Sequence, residues 1–156
     1  MIKITKPLLQ KALIAGFFSA FTIGVLTVLT YKSTLGYFIA ASFGSSMVLL
    51  FGFPESPFAQ PKNVFFGHLV TALVGVIFVN FIPLPIYISI AIAVGAGVFL
   101  MIVFNIVHPP AGGTAMIAAM GAGCISNMGY SFIIPTFIGS SFLYSSSFLF
   151  NKIIKK

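Results

Sequence analysis

The sequence predicts an all-α membrane protein with about six transmembrane segments, one of them short. Hydrophobic residues make up 59% of the 156 residues and charged residues only 6%, whereas soluble domains are about a quarter charged. Mean hydropathy is +1.14. A soluble globule cannot cover its surface with so few polar groups, but a lipid bilayer removes that need. The apolar residues also fall into runs near the roughly 20 residues that a spanning helix requires.

Turn-forming residues divide the chain into apolar runs. Five runs are long enough to cross a bilayer, namely residues 12–30, 35–53, 64–82, 86–107 and 131–150. A further run at 114–125 is too short by itself and follows a His-Pro-Pro sequence. It is either a short span or a re-entrant segment.

Lysines set the expected orientation. All eight basic residues are lysines, and six of them lie near the two chain ends. Basic residues stay on the cytoplasmic side, so we expect a cell-membrane protein with both termini in the cytoplasm. Both termini on one side require an even number of crossings, which the short run supplies; this arrangement puts Lys62 and His108 inside and Lys32 outside. A four-span arrangement with two re-entrant runs also satisfies the parity.

The net charge of +7 is therefore a topology signal, and we do not expect nucleic-acid binding. The chain is expected to be one transmembrane domain, residues 1–156. Residues 44–52 resemble residues 113–121, because glycines bracket both and a small hydroxyl residue and a methionine recur at the same offsets. Chance produces such matches easily in apolar sequence. The alternative is a three-plus-three inverted repeat, with halves at 12–82 and 86–150.

One polar segment interrupts the apolar sequence between the fourth and fifth runs. It reads His108-Pro109-Pro110-Ala111-Gly112-Gly113-Thr114. A residue before proline avoids the helical region, whereas proline suits the first turn of a new helix. The segment predicts a helix N-terminus whose backbone N–H groups at Gly112 and Gly113 face a cavity and bind an anion, with His108 adding a donor or a proton. The alternative is an ordinary turn with prolines as helix stops.

Five further residues are candidates for the same site. The stretch Ser42-Phe43-Gly44-Ser45-Ser46 offers hydroxyls and a glycine within a bulky run, and its Gly44, Ser45 and Ser46 are the site candidates, although small residues also serve close helix packing. His68 lies six residues after Lys62, just under two helical turns, so both can share one side of a helix. A membrane histidine that only hydrogen-bonds a neighbouring helix is the simpler interpretation.

Enzyme chemistry finds little support, and no metal or cofactor is expected. Glu55 is the only acidic residue, so a carboxylate pair is impossible. His68 and His108 are one ligand short of a catalytic zinc site. Cys124 is the only cysteine, so the chain cannot form an internal disulfide.

Two long motifs resemble the HPP family of membrane proteins. The first runs from Phe53 to Val64 and contains Pro54, Glu55, Pro57, Pro61 and Lys62, with Gly67-His68 after it; the second is His108-Pro109-Pro110-Ala111-Gly112-Gly113-Thr114-Ala115. The resemblance implies a membrane protein whose relatives in chloroplasts and cyanobacteria move nitrite. The family is often described with four spans, in contrast to the six expected here. Relatives often carry arginine near Pro61, where Lys62 replaces a bidentate clamp with a point charge.

The leading functional hypothesis is a transporter or channel for a small monovalent anion, with nitrite preferred. The anion would bind near the bilayer midplane between Gly44-Ser45-Ser46 and Gly112-Gly113-Thr114, with His68 and His108 donating and Lys62 attracting it. A non-transporting scaffold or sensor subunit is the main alternative, and an intramembrane enzyme or metal carrier is a third. Expected partners are the anion, membrane lipid and further copies of the chain.

Overall fold

The structure, a computed structural model, describes residues 4–32, 38, 40–121 and 128–154. Every regular element in these ranges is helical, which confirms the all-α prediction. The helices are α1 (Lys6–Lys32), α2 (Ala41–Gly52), α3 (Pro61–Phe81), α4 (Ile86–Val103), α5 (Ala111–Met120) and α6 (Ile133–Ile154), with short 3₁₀ turns at Pro57–Ala59 and Gly129–Phe132. Cys124 lies outside the described residues.

The helices of the described ranges fall into two length classes. Four segments are long and apolar enough to cross a membrane: Lys6–Lys32, Pro61–Phe81, Ile86–Val103 and Gly129–Ile154. In contrast, α2 and α5 have 12 and 10 residues. Their lengths of about 18 and 15 Å reach roughly half of a 30 Å hydrocarbon core. The sequence predicted one short segment, but α2 is short as well, because the backbone at Ala40 just before it is extended.

Both described chain ends lie at the same end of the bundle, which we call the proximal end. There Lys11 of α1, Glu55 of the α2–α3 loop and Asn151 of α6 line one surface pocket. A second pocket joins Pro7 near the start of α1 to Ile153 near the end of α6. The described ends of α1 and α6 therefore lie together, whereas the orientation of the termini across the membrane stays a prediction.

Two contacts define the opposite, distal end. The backbone N–H of Phe38 donates to Thr30 Oγ1 at 3.0 Å, which joins the end of α1 to the approach to α2. The rings of Phe81 and Tyr130 lie 5.6 Å apart, which joins the end of α3 to the start of the last segment. Since Glu55 is at the proximal end, α2 runs from the distal end near Phe38 towards the proximal end, but it is too short to span a bilayer by itself.

Glycines let α3 and α5 pack at close range. A Cβ atom at Gly75 would lie 2.4 Å from Ala118 Cβ and 2.6 Å from the Ala115 carbonyl oxygen. Nearer the start of α3, a Cβ at Gly67 would lie 2.9 Å from His108 Cβ. Small residues at such contacts are how membrane helices pack without a hydrophobic driving force. The contact places α5 and the preceding His-Pro-Pro segment directly against α3.

The outer surface is apolar, as lipid contact requires. In α1 only Thr22 and Leu26 are buried, whereas Phe17 and Phe21 are 69% and 56% exposed. Polar groups are instead collected inside the bundle, next to the α3–α5 contact.

Candidate functional site

The loop from α4 to α5 holds His108 inside the bundle. Asn105 ends α4 in the left-handed region, with φ of 52°, and Ile106 N–H donates to the Met101 carbonyl. This is the geometry that commonly terminates helices, with asparagine in the place of glycine. The Asn63 side-chain amide of α3 then donates to the Val107 carbonyl at 2.8 Å. The loop is thus fixed on both sides of the turn, and His108 has no exposed surface.

The start of α5 differs from the arrangement that the sequence predicted. The N–H groups of Ala111, Gly112 and Gly113 donate to the carbonyls of His108, Pro109 and Pro110 at 2.9, 3.2 and 3.0 Å. Helix ends commonly satisfy their spare donors by such i→i+3 bonds. The backbone donors at Gly112 and Gly113 are therefore already paired with the His-Pro-Pro carbonyls, and side chains supply the accessible chemistry.

The first turns of α2 and α5 lie against each other. Ser42 Oγ is 2.8 Å from Thr114 Oγ1, and a Cβ at Gly113 would lie 3.2 Å from Ser42 Cβ. One turn further along α2, Ser46 contacts His108, which precedes α5. From Ser42 to Ser46 along α2, the contacted residue moves back in the sequence from Thr114 to His108. The two short helices therefore run in opposite directions where they meet. The inverted repeat itself stays a prediction.

Five buried side chains form what we call the hydroxyl–imidazole network: Ser42, Ser46, His68, His108 and Thr114. His68 Nδ1 lies 2.7 Å from Thr114 Oγ1, and His68 Nε2 lies 3.1 Å from Ser46 Oγ. His108 Nε2 lies 2.9 Å from the same Ser46 Oγ, and His108 Nδ1 lies 2.8 Å from the Phe58 carbonyl oxygen. All five are at most 5% exposed. The network therefore links α2, α3, α5 and the α2–α3 loop.

Apolar and aromatic groups enclose the network. The Phe43 ring packs edge-on against His68 with centroids 5.1 Å apart, and the two imidazole rings are 5.0 Å apart. Thr71, one turn after His68, directs its hydroxyl to the α3 backbone rather than into the network. In such a low-dielectric setting, hydrogen bonds are electrostatically stronger and a lost partner costs more.

The network lies in the proximal half of α3. His68 is the eighth of 21 residues in α3, so it lies about 10 Å along a helix of about 30 Å. The predicted location near the bilayer midplane stays a prediction, because the position of α3 relative to the bilayer is not defined. The His-Pro-Pro segment sets the position of the network along α3, because the Asn63 and Gly67 contacts hold it beside the first two turns of α3.

The structure brings together some predicted site residues but not others. Ser46, His68, His108 and Thr114 meet in the network, whereas Gly44 and Ser45 are exposed on the other side of α2.

The remaining predicted residues lie outside the network. Ser45 lines a surface groove of about 440 Å³ with Pro109 and Pro110. Lys62 is exposed in the first turn of α3. A Cβ at Gly112 would meet no atom of another helix within 4 Å, so this glycine is not a point of close approach.

Two prolines of the first motif begin helical elements, Pro57 the 3₁₀ turn and Pro61 α3. In the loop before them, Glu55 is exposed and Pro54 is partly buried. Their role is positional, because this loop presents the Phe58 carbonyl to His108.

Sequence reasoning did not assign Ser42, Asn63 or the Phe58 carbonyl to the site. A signal for Ser42 was present, because it lies four residues before Ser46 and so on the same helical face. The Phe58 carbonyl carried no such signal, since any residue type supplies a backbone oxygen. Among the described residues, no three His, Cys, Asp or Glu side chains gather as metal ligands would.

A bundle of apolar helices that runs back and forth between two ends, with imidazoles and hydroxyls buried between them, defines a multi-span integral membrane protein. The profile of the HPP transmembrane region matches residues 4–156. The chain therefore belongs to the HPP family, as the two motifs predicted.

Two transmembrane proteins of Dictyostelium discoideum are similar to the chain. They are 31% and 33% identical to it over 138 residues, which is 85% of this chain but 48% and 44% of theirs. The chain thus spans about half the length of the curated relatives that it matches. No solved structure matches the chain.

Proposed function

We propose that the chain is a transporter or channel that carries a small monovalent anion across the cell membrane, with nitrite as the preferred substrate. The observation that carries this proposal is the 2.8 Å contact between Ser42 Oγ and Thr114 Oγ1. It joins the N-terminal turns of two short, oppositely running helices inside a membrane bundle. Discontinuous helices whose N-termini meet within the bilayer are how several transporters bind anionic groups.

The electrostatics of the contact favour an anion. A helix N-terminus carries roughly half a positive charge, and here two such ends lie side by side. No carboxylate opposes them, because Glu55, the only acidic residue, is exposed in the α2–α3 loop at the proximal end. A buried positive potential without a counter-charge attracts an anion and repels a cation.

The network supplies the donors that replace the anion's hydration shell. The hydroxyls of Ser42, Ser46 and Thr114 and the two imidazoles lie within hydrogen-bond distance of one another and are buried. These groups bond to one another in the structure. An anion enters by separating Ser42 from Thr114 and taking over their hydrogen bonds. The family resemblance favours nitrite among small monovalent anions.

Lysines at the proximal end guide the anion to the site. Lys11 lines a proximal pocket, and Lys62 is exposed in the first turn of the helix that carries the buried His68. A cluster of one sign of charge raises the local concentration of the opposite ion. With both termini in the cytoplasm, the proximal end of the bundle faces the cytoplasm.

The test is anion uptake into vesicles that contain purified protein. Nitrite, nitrate, formate and chloride are compared at matched concentration, with protein-free vesicles run alongside because nitrous acid crosses lipid unaided. Selective nitrite uptake above the protein-free rate supports the proposal. Uptake equal to protein-free vesicles for all four anions, with protein shown to be folded, rejects it.

A scaffold or sensor subunit is the second candidate, and the exposed face of α1 favours it. Phe21, Gly24 and Val28 line an apolar groove of about 390 Å³ on that face, where a Cβ at Gly24 would meet nothing. Such a face suits a helix of another chain, including a second copy in a homo-oligomer. This role predicts association without flux, so the same vesicle assay distinguishes the two candidates.

A further inference from the structure

We infer that the hydroxyl–imidazole network is a binding site for one proton, and that this proton travels with the anion. The inference rests on the proposed function for its transport role, but the proton site itself follows from a count of hydrogens in the network. Each of the five side chains has a known number of donors and acceptors, and the contacts allow few ways to satisfy them.

One carbonyl fixes the arrangement when both histidines are neutral. The Phe58 carbonyl can only accept, so His108 Nδ1 carries the hydrogen of that ring and Nε2 must accept. Ser46 therefore gives its single hydrogen to His108 Nε2, and accepts from His68 Nε2–H. His68 Nδ1 must then accept from the Thr114 hydroxyl.

The chain of bonds ends at Ser42, whose hydroxyl donates to Thr114 Oγ1. If the hydrogen of the His68 ring were on Nδ1 instead, Nε2 of His68 and Nε2 of His108 would both have to accept the single hydroxyl hydrogen of Ser46. One buried acceptor would then have no partner. The neutral network therefore has a single satisfied arrangement, with every donor oriented from Ser42 towards the Phe58 carbonyl.

The same atoms also satisfy a network with one additional proton. Ser46 Oγ lies 3.2 Å from the Ser42 carbonyl oxygen, a second acceptor for its hydrogen. When a proton binds His108 Nε2, the Ser46 hydroxyl rotates to that carbonyl, and its oxygen accepts from both His108 Nε2–H and His68 Nε2–H. One N–H bond forms and none breaks, and the network gains one positive charge. Rotation of one hydroxyl is the only change required.

Other titratable and charged groups on the surrounding elements lie away from this position. On α3, Lys62 is exposed in the first turn; in the α2–α3 loop, Glu55 is exposed. On α6, the Tyr144 ring packs against Phe65 and Lys152 is exposed near the helix end. Helices α2 and α5 contain no acidic or basic residue. The buried charge of the protonated network is thus left for an anion to neutralise.

A monovalent anion beside the protonated network makes a neutral pair. The charges of proton and anion cancel, so the buried site holds no net charge from its cargo, which greatly lowers the desolvation cost of crossing. The mechanism is therefore electroneutral symport of one proton with one anion. Uptake should respond to a pH gradient and ignore the membrane potential.

The first arm of the test measures nitrite uptake into vesicles under an imposed proton gradient, and separately under a potassium gradient with valinomycin. Protein-free vesicles are subtracted to remove the nitrous acid leak. We expect the proton gradient to drive uptake by the wild type and by Ser145→Ala, a control that removes an exposed α6 hydroxyl. In Ser46→Ala the proton-driven component should be lost. Uptake that follows the potential and ignores the proton gradient overturns the coupling but leaves the proposed transport standing.

The second arm does not depend on transport. Nitrogen NMR of the ¹⁵N-histidine-labelled protein follows protonation of His108 Nε2 across the pH range in which the protein stays folded. We expect one titration at that atom in the wild type and Ser145→Ala, and its loss or displacement in Ser46→Ala. An Nε2 signal that never changes in the wild type, or one that titrates identically in Ser46→Ala, overturns the proton site. If no anion is taken up at all, the proposed function fails and this arm alone decides the proton site.

Discussion

Ser46 Oγ lies 2.9 Å from His108 Nε2, although 62 residues separate them in the chain. The contact joins α2, which ends just before the first motif, to the His-Pro-Pro segment that precedes α5. Because His68 Nε2 approaches the same oxygen at 3.1 Å, Ser46 is the point where three elements meet. A single hydroxyl thus connects the two imidazoles of the chain.

Ser46 and its neighbour Ser45 provide a matched pair of variants. Ser46→Ala removes the hydroxyl shared by His68 and His108, so we expect protein-dependent anion flux to fall at least about tenfold, the equivalent of about 1.4 kcal/mol. Ser45→Ala changes an exposed side chain on the other face of α2 and should leave flux close to wild type. Vesicle uptake at equal amounts of folded protein measures both. Equal losses in the two variants would contradict the geometry of the network.

Thr114 is expected to act through its hydroxyl and not its shape. Thr114→Val keeps the side-chain volume but leaves Ser42 Oγ and His68 Nδ1 without a partner, which costs about 1–3 kcal/mol for each unsatisfied group. Thermal unfolding in detergent should therefore show a less stable protein, and uptake should fall. Thr114→Ser retains the hydroxyl and should restore uptake. If the valine variant transports as well as the serine variant, Thr114 does not contact the anion path.

Gly75 is expected to be a packing position within one chain. A side chain there enters the space of Ala118 and the Ala115 carbonyl, so Gly75→Leu should separate α3 from α5 and destabilise the fold by at least about 1–3 kcal/mol. Gly95→Leu places the same side chain where nothing lies within 4 Å and should be tolerated. Size-exclusion profiles and unfolding temperatures distinguish them. A well-folded Gly75→Leu protein that has only lost its oligomeric contacts would favour the scaffold interpretation.

Asn63 is expected to position His108 from outside the network. Asn63→Ala removes the amide that pairs with the partly buried Val107 carbonyl, at an expected cost of about 1 kcal/mol. Asn80→Ala is the control, because Asn80 is exposed near the end of α3 and bonds only a carbonyl of its own helix. The unfolding temperature should drop in the first variant and stay within error in the second. An unchanged Asn63→Ala protein would show that the prolines alone hold the loop.

The helical fold could be predicted from the sequence because run length and charge position are local properties. The lysines predicted that both termini lie on the cytoplasmic side; the described ends of α1 and α6 do lie together, and their orientation across the membrane stays a prediction. The short length of α2 was not predicted, because the apolar run already begins at Leu35, whereas the backbone is still extended at Ala40, just before the helix. Hydropathy does not register that change of backbone conformation.

The candidate site could be predicted only in part, for a related reason. His68, His108 and Thr114 stood out as polar groups in apolar sequence, and they do meet. Which hydroxyls of α2 join them depends on the rotation of that helix, and a run of small residues gives no strong amphipathic direction. Gly44, Ser45 and Ser46 were therefore all expected in the site, whereas the structure places only Ser46 of these there, together with Ser42. A backbone acceptor such as the Phe58 carbonyl leaves no trace in residue identity.

Anion transport through the Ser42–Thr114 contact is tested by nitrite uptake into vesicles that contain either wild-type protein or Thr114→Val, at equal amounts of folded protein. We expect uptake above the protein-free rate for the wild type, and uptake reduced towards that rate for the variant. Wild-type uptake equal to protein-free vesicles would contradict the proposed transport. Uptake that is above that rate and identical in both proteins would place the anion path elsewhere than between Ser42 and Thr114.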